Sequence, residues 1–574
     1  MRHSATDTHW SYVCGRANRP LVYRSVDGVL RAAAERWPER TALVSRHQGL
    51  RYTYAQLDAV VERAARGFSA CGLAPGERVG IWSPNNAEWV VSMFAAARAG
   101  LILVNINPAY RAAELEFALR QSGCSALLMA ASFKSSDYIG MVRGLIPELE
   151  NAAPGRLECA KLPLLRILVQ LSQSVATGFM SFADLDSAGE PCMAGPPTPA
   201  SRYDPDQPYN IQFTSGTTGL PKGATLTHFN LVNNGYFVGS TMRLTPEDVV
   251  CIPVPMYHCF GMVLGVLAAM THGCAAVFPS ATFEPLAALA AVGAERCTAL
   301  HGVPTMFIAM LEHPRFGEFD LSSLRTGIMA GAPCPMTLMR RVIADMHMHG
   351  VTICYGMTET SPVSFQSNPD DPLEQRVGSV GRVHPHVQAK IVDERGDVVP
   401  RGTPGELCTR GYGVMRGYWE EPQRTQEVLD ASGWMHTGDL AVLDADGYCS
   451  IVGRIKDMII RGGENISPRE IEEYLFRHPA VLDVAVVGVP SEKYGEEVCA
   501  CIRLKEGADT SVEEIRAFCD GRIAHYKIPR YAAFLDSFPM TVTGKVQKYL
   551  LRDRMRDHFG LGREPWARTS SASG

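Results

Sequence analysis

No apolar run in this sequence is long enough to cross a bilayer. The longest apolar stretches, such as residues 262–270, fall well short of the ~20 residues a spanning helix needs. A basic surplus is missing too. Lysine and arginine number 55 against 60 acidic residues, giving a net charge of −5 with no basic stripe, so no nucleic-acid-binding face is expected. The 16 cysteines are scattered, and the close pair Cys499-x-Cys501 has no zinc-site spacing. They read as reduced, mostly buried thiols of a cytoplasmic protein. Residues 1–15 show no apolar run behind a basic cluster, so no secretory leader is expected. Internal repeats and coiled-coil heptads are also lacking. A soluble chain without a transmembrane segment is the expectation, although a fatty substrate could bring it transiently to a membrane surface. The oligomeric state is left open.

What the chain does have is length and alternation. At 574 residues it exceeds what one core can organise, so at least two domains are expected. Its 46% hydrophobic and 20% charged residues are ordinary for a globular enzyme. Helical periodicity at residues 29–36, 54–71 and 87–97 alternates with strand-like runs at 78–82 and 101–107. The alternation continues through 114–121 and 126–130, fades over 132–205, and resumes in short apolar runs at 249–254, 275–278, 299–302, 326–330 and 351–355. This pattern predicts an α/β fold of mainly parallel sheets with helices. Residues 387–451 are strand-rich and predict a small β subdomain, and a compact α+β module follows. The expected division is a large domain over 1–453, a junction at 454–457, a small domain over 458–562 and a disordered polar tail at 563–574.

The chemistry concentrates in one ordered string, Thr214-Ser215-Gly216-Thr217-Thr218-Gly219-Leu220-Pro221-Lys222-Gly223. Glycines let backbone N–H groups approach anionic oxygens, hydroxyls add donors without bulk, and Lys222 adds a positive charge, a composition suited to a polyphosphate. Lys222 is followed by glycine rather than serine or threonine, so the string is not a Walker A loop. The strand-like residues 209–213 before it are expected to anchor it at a sheet edge. A Ser/Thr/Gly-rich surface loop is the other reading of the composition.

Four further segments hold candidate groups. In Met256-Tyr257-His258-Cys259-Phe260-Gly261, His258 could orient a carboxylate, or it could be a core histidine. Apolar residues 262–266 follow it, with no acid to hold an ammonium group, which suits a plain aliphatic acid. Gly331-Ala332-Pro333 and Tyr355-Gly356-Met357-Thr358-Glu359-Thr360 both follow strand-like runs. There an aromatic ring can stack on adenine, a threonine can hold phosphate and a glutamate can ligate Mg²⁺, although Tyr355 could equally be core and Glu359 a solvated helix-start charge. Trp434-Met435-His436-Thr437-Gly438-Asp439 ends in a carboxylate able to accept both ribose hydroxyls, or in a simple turn. Arg461-Gly462-Gly463-Glu464-Asn465-Ile466-Ser467-Pro468 and Pro539-Met540-Thr541-Val542-Thr543-Gly544-Lys545 read, taken alone, as glycine turns.

Taken in order, these strings resemble the signatures of the adenylate-forming superfamily of acyl-CoA synthetases and luciferases, over about residues 11–562. Asn210–Gly219, Tyr257-His258-Cys259, Ser379-Val380-Gly381-Arg382 and Asp457–Ile466 look most like its medium-chain acyl-CoA synthetase subfamily, the family-member-two type. The resemblance implies ATP, Mg²⁺ and coenzyme A as cofactor and co-substrates, and a fatty acid converted through an acyl-adenylate to acyl-CoA. It implies that Thr214–Lys222 hold the β,γ-phosphates, that Gly331, Ala332, Pro333, Tyr355 and Gly356 surround adenine, and that Thr358 meets the α-phosphate. It further implies Glu359 on Mg²⁺, Asp439 and Arg454 on ribose, His258 near the acyl carboxylate, and Gly462 and Gly463 beside a pantetheine channel. Lys456 falls on the hinge and Lys545 on the lysine that bridges carboxylate and α-phosphate. Val546 and Lys548 depart mildly from the usual pattern around that lysine. An acyl-AMP ligase loading a carrier protein, a luciferase-like oxygenase and a silent nucleotide- or acyl-binding protein remain as rivals.

Overall fold

In the computed structural model, residues 9–172, 175–190, 203–214, 221–332, 334–462, 464–541 and 544–561 are described. The expected tail at 563–574 lies outside them. The chain forms an α/β body of one eight-stranded and one nine-stranded sheet, a five-stranded sheet beside them, and a further five-stranded sheet built from residues beyond Ile459.

Helix Ala87–Ala99 shows how the body is held together. Asn86 caps it by accepting the N–H of Trp89, and Gly100 closes it at φ 74°, where a side chain would be strained. The helix is apolar on nearly all sides, so burying one face is not enough. Its side chains belong to one core that also takes residues from Arg78–Trp82 of the first sheet and Ala275–Phe278 of the second. Arg98, its one charged residue near the end, is fully buried. It is paired with Asp27 at 2.7 Å and Glu62 at 3.0 Å, and also with Asp58, which satisfies a cation that would otherwise be costly there.

The predicted parallel runs lie side by side. Val249–Cys251 pairs with Ala275–Phe278 and Ala299–Gly302, and Thr326–Ala330 lies between Ala299–Gly302 and Gly350–Gly356, all in parallel. Sheet closure at Gly350–Gly356 is antiparallel, through Val363–Gln366. Two expectations need correction. The strand before the phosphate string, Pro208–Thr214, is not at an edge: it lies between Ile102–Asn105, parallel, and Lys222–Thr227, antiparallel. Lys222 therefore opens a strand rather than ending a loop, and Thr214 and Lys222 face each other in register. The region at 132–205 also holds more structure than its weak pattern suggested: helices Tyr138–Leu145 and Phe182–Gly189, and strand Ile167–Gln170, which extends the first sheet. These elements are too short for a period to be legible.

Residues 387–451 form the expected antiparallel sheet, and the N-terminal strand Tyr12–Cys14 adds to its edge. The last sheet, centred on Val481–Ser491 and Gly495–Leu504, has cores of its own on both faces, with helices Pro468–Leu475 and Val512–Cys519 on one and Lys548–His558 on the other. Among the described residues, no helix is long and apolar enough to cross a membrane.

Candidate active site

The site forms where strand ends from three sheets converge, and each sheet contributes a group. Gly350–Gly356 delivers Tyr355 and runs into a short turn, Thr358–Thr360. Gly356 must be glycine, because a Cβ there would lie 1.7 Å from the Pro362 carbonyl oxygen. The turn buries Thr358 and Glu359 at 8% and 6% exposure. Glu359 is thus not a solvated helix-start charge. Its Oε1 accepts the Tyr418 hydroxyl at 2.9 Å and the Thr214 hydroxyl at 3.4 Å. Lys222 places Nζ 4.9 Å from the centroid of the Tyr418 ring. The two ends of the phosphate string and the candidate metal carboxylate therefore meet around one tyrosine. Ser215, Gly216, Thr217, Thr218, Gly219 and Leu220 lie outside the described residues, as do Pro333 and Gly463.

A second group lies on the small β sheet. Asp439 of Met435–Leu443 is buried, and both of its oxygens are engaged. Tyr355 donates its hydroxyl to Oδ2 at 2.5 Å, and Arg454 donates Nε to Oδ1 at 2.9 Å. Asp439 and Arg454 face each other across the ladder. Burial and the neighbouring Asp439 carboxylate both push the Tyr355 phenol well above its usual range, so it stays a donor.

His258 sits half-buried in the segment leading into an unusual element. Residues Phe260–Leu267, expected only to be apolar, form a π-helix whose every residue is buried. The Phe260 N–H donates to His258 Nδ1 at 3.1 Å, which leaves the proton on Nε2. Burial, reinforced by Lys545, pushes the imidazole down to about 3, so it is neutral and can donate from Nε2.

Lys545 comes from the far side. It follows a tight turn in which Thr541 donates its N–H to the Lys545 carbonyl at 2.7 Å and accepts the Lys545 N–H on Oγ1 at 3.0 Å. Its side chain reaches over the first sheet's partner: a Cβ built at Gly331, which has φ +92°, would stand 3.7 Å from Lys545 Cε. Burial lowers the Lys545 pKa, and Arg454 lowers it further against the opposing pull of Cys259, Asp439 and Glu359. Lys545 is thus within electrostatic reach of His258, Glu359 and Asp439. Lys456 is exposed on the turn Ile455–Asp457, and Gly462, at φ +59°, closes the hairpin after Ile459–Arg461, where its N–H donates to the Tyr494 carbonyl at 2.8 Å. Tyr418 was not anticipated from the sequence. No motif surrounds it, and only the pairing of Gly417–Tyr418 with Lys222–Thr227 brings it to Glu359.

The fit to Mg²⁺ follows from the donors. A buried carboxylate beside hydroxyl oxygens is a hard, all-oxygen set, which suits a cation that takes one or two carboxylates and substrate phosphates.

The fold is that of the adenylate-forming enzymes, and it sets the strand pair Pro208–Thr214 and Lys222–Thr227, the buried Asp439 carboxylate and Lys545 on separate elements around one region. Residues 30–419 match the family described as AMP-binding enzyme and residues 470–545 match its C-terminal domain, and the chain belongs to this family. YngI of Bacillus subtilis is 47% identical over 543 residues, covering 94% of this chain and 99% of that protein. The Danio rerio medium-chain acyl-CoA ligase ACSF2, mitochondrial, is 47% identical over 564 residues, covering 96% of this chain and 91% of its own. Among solved structures, the anthranilate CoA ligase AuaEII in complex with anthranoyl-AMP superposes with a TM-score of 0.82 at 26% identity, covering 95% of this chain and 99% of that one.

Proposed function

We propose that the chain activates a medium-chain fatty acid with Mg·ATP and passes the acyl group to coenzyme A. In the first step a carboxylate oxygen attacks the α-phosphorus, the bond to the β-phosphate oxygen breaks, and pyrophosphate leaves the acyl-adenylate. In the second the CoA sulfur attacks the acyl carbon, its proton passes to solvent, and AMP departs with the bond electrons. Adenylation makes this exchange feasible, because AMP is a far better leaving group than oxide.

The observation that carries this reading is the approach of Lys545, from a separately cored unit, to Gly331 and into electrostatic reach of His258, Glu359 and Asp439. Lys545 offsets negative charge between carboxylate and α-phosphate, and Thr358 donates to the same phosphate. Neutral His258 donates from Nε2 to the acyl carboxylate. Thr214–Lys222 hold the terminal phosphates. Gly331-Ala332-Pro333, Tyr355 and Gly356 hold adenine, while Asp439 and Arg454 take the ribose. Glu359, with the Thr214 and Tyr418 hydroxyls nearby, would hold Mg²⁺, which neutralises phosphate charge when bound.

The domain boundary belongs to the same proposal. Residues 1–453 bind nucleotide and acid, 454–457 pivot around Lys456, and 458–562 supply Lys545 for the first step. The unit then turns to bring Gly462 and Gly463 to the pantetheine arm. A medium chain is favoured by the wholly apolar π-helix after His258 and by the substrate in the name of the 47% identical Danio rerio relative. We place the chain in the cytoplasm, a reducing compartment that agrees with the free thiols of every described cysteine. Fractionation of cells producing the native chain tests this against a mitochondrial location.

Pyrophosphate release from Mg·ATP, measured across straight-chain acids from acetate to palmitate with and without CoA, tests the function. The expected result is a maximum at intermediate length, with thioester formed only when CoA is present. Release without any CoA thioester would assign the acyl group to a carrier protein or to oxygen instead. No release with any acid would make the chain a binding protein.

A further inference from the structure

Away from the nucleotide groups, the small β sheet brings together a thiol, an imidazole and a carboxylate. Glu406 and Cys408 are two apart on strand Gly405–Gly411 and therefore share a face. An irregularity between them in the pairing with Met435–Leu443 sets His436 directly opposite Cys408. His436 Nδ1 consequently lies 2.8 Å from Glu406 Oε2 and 3.5 Å from Cys408 Sγ. All three ligand atoms lie within 4.8 Å of one another, and among the described residues this is the one such group of three.

We propose that Glu406, Cys408 and His436 form a binding site for a zinc-class divalent cation. Zn–S and Zn–N bonds of about 2.3 and 2.05 Å, opened to a tetrahedral angle, separate sulfur and nitrogen by about 3.5 Å. That is the spacing found between Cys408 Sγ and His436 Nδ1. Thiolate, imidazole and carboxylate together select zinc over magnesium or calcium, and the two anionic ligands balance the dication's charge. The site has a dry floor and an open mouth. Cys408 packs with Val392 and Trp434 in a small apolar cluster, whereas His436 and Glu406 keep 34% and 22% of their side chains exposed. A cation enters from the solvent side, takes the place of the Cys408 thiol proton, which is released to solvent, and keeps one position for water.

The remaining carboxylate oxygen has a supporting partner, since Glu406 Oε1 accepts the Gly438 N–H at 3.1 Å. Thr437 Oγ1 donates to the Leu407 carbonyl at 2.7 Å, so the same two strands are already stapled here, just ahead of Asp439. A bound cation adds a second staple at the root of the ribose segment. Lys390, which pairs with Cys408 from the other neighbouring strand, holds its ammonium 4.6 Å from the Trp434 ring centroid.

The test is titration of the full-length protein with Co²⁺, followed by absorbance, with Zn²⁺ then added as competitor. The expected result is a thiolate-to-cobalt charge-transfer band that saturates at one equivalent and is abolished by Zn²⁺. The band should be lost in Cys408→Ser, weakened at least tenfold in affinity in His436→Gln and kept in Cys71→Ser. Because the Cys259 thiol lies near the candidate Mg²⁺ carboxylate, the titration is repeated in Cys259→Ser, where the band should also be kept. Zn²⁺ should also raise the unfolding temperature of the unsubstituted protein and not that of His436→Gln, a readout that stands if Cys408→Ser does not fold. Absence of the band at one equivalent, its survival in Cys408→Ser, or an equal thermal shift in His436→Gln would overturn the site.

Discussion

The two sides of the candidate active site are built differently. On the side of Asp439 and Glu359 the carboxylates are already engaged by their neighbours. Asp439 has Tyr355 on one oxygen and Arg454 on the other, and Glu359 has Tyr418 and Thr214. These residues sit on or beside strands paired within larger sheets, so their orientation is set when the protein folds. Lys545 is different. The turn that carries it is held by its own backbone and by Thr541, and its unit has separate cores. The contrast suits a site in which one half is a fixed cradle and the other a group that arrives for one step and leaves for the next.

Removing the arriving group should have the largest and most selective effect. Lys545→Ala is expected to slow adenylate formation by about 10²–10³-fold, the range for loss of one preorganised charge-stabilising donor. It should leave conversion of pre-made acyl-AMP to thioester nearly intact, and pyrophosphate release assayed beside thioester formation checks this. An equal loss in both half-reactions would break the contrast between fixed and arriving groups. On the fixed side, Tyr418→Phe keeps the ring beneath Lys222 and removes one hydrogen bond to a buried carboxylate, worth about 1.5 kcal/mol. An approximately tenfold fall in kcat/KM for Mg·ATP is expected, with both half-reactions measured separately.

Tyr355→Phe should be milder, because Arg454 still holds Asp439. A loss of about 1 kcal/mol gives roughly a fivefold rise in KM for ATP. Combining it with Arg454→Ala should exceed the product of the two separate effects, since Asp439 would then lose both partners. Near neutral pH the smallest expected effect is one of pH, growing only on the alkaline side. Lys545 is lowered by burial and by Arg454, and the ammonium form is the useful one. Activity that depends on it is therefore full below the folded pKa and lost as pH rises through that value, which lies below the usual lysine range. The alkaline fall should appear in pyrophosphate release and be absent from thioester formation starting with acyl-AMP. A matching fall in both would assign it to another group.

The proposed zinc-class site bears on the comparison, because its two strands belong to the fixed side. If the cation staples Gly405–Gly411 to Met435–Leu443, it stiffens the strand that presents Asp439 and leaves Lys545 untouched.

Much of this was legible without coordinates. The strand Arg78–Trp82 and the helix that begins at Ala87 were expected from their periods, and the structure adds Asn86 and Gly100 as the helix caps. The residues alone left Tyr355, Glu359, Asp439 and Lys545 open between site and structural roles, and it was the resemblance of the ordered strings to the adenylate-forming signatures that proposed them, with Thr214, Lys222 and Arg454, as site residues. Local sequence says little about what lies across a sheet. For that reason the position of Pro208–Thr214 inside its sheet, with Lys222 opening the next strand, could not be read. The same reason hid Tyr418, whose only link to Glu359 is a strand pairing, and His436, whose meeting with Cys408 depends on a register shift. The sequence by itself determined the alternating α/β pattern and, through its ordered motifs, the class of reaction. Tertiary structure decided which groups lie near one another and which are already engaged, because pairing register, burial and separate cores arise from contacts between residues tens to hundreds of positions apart.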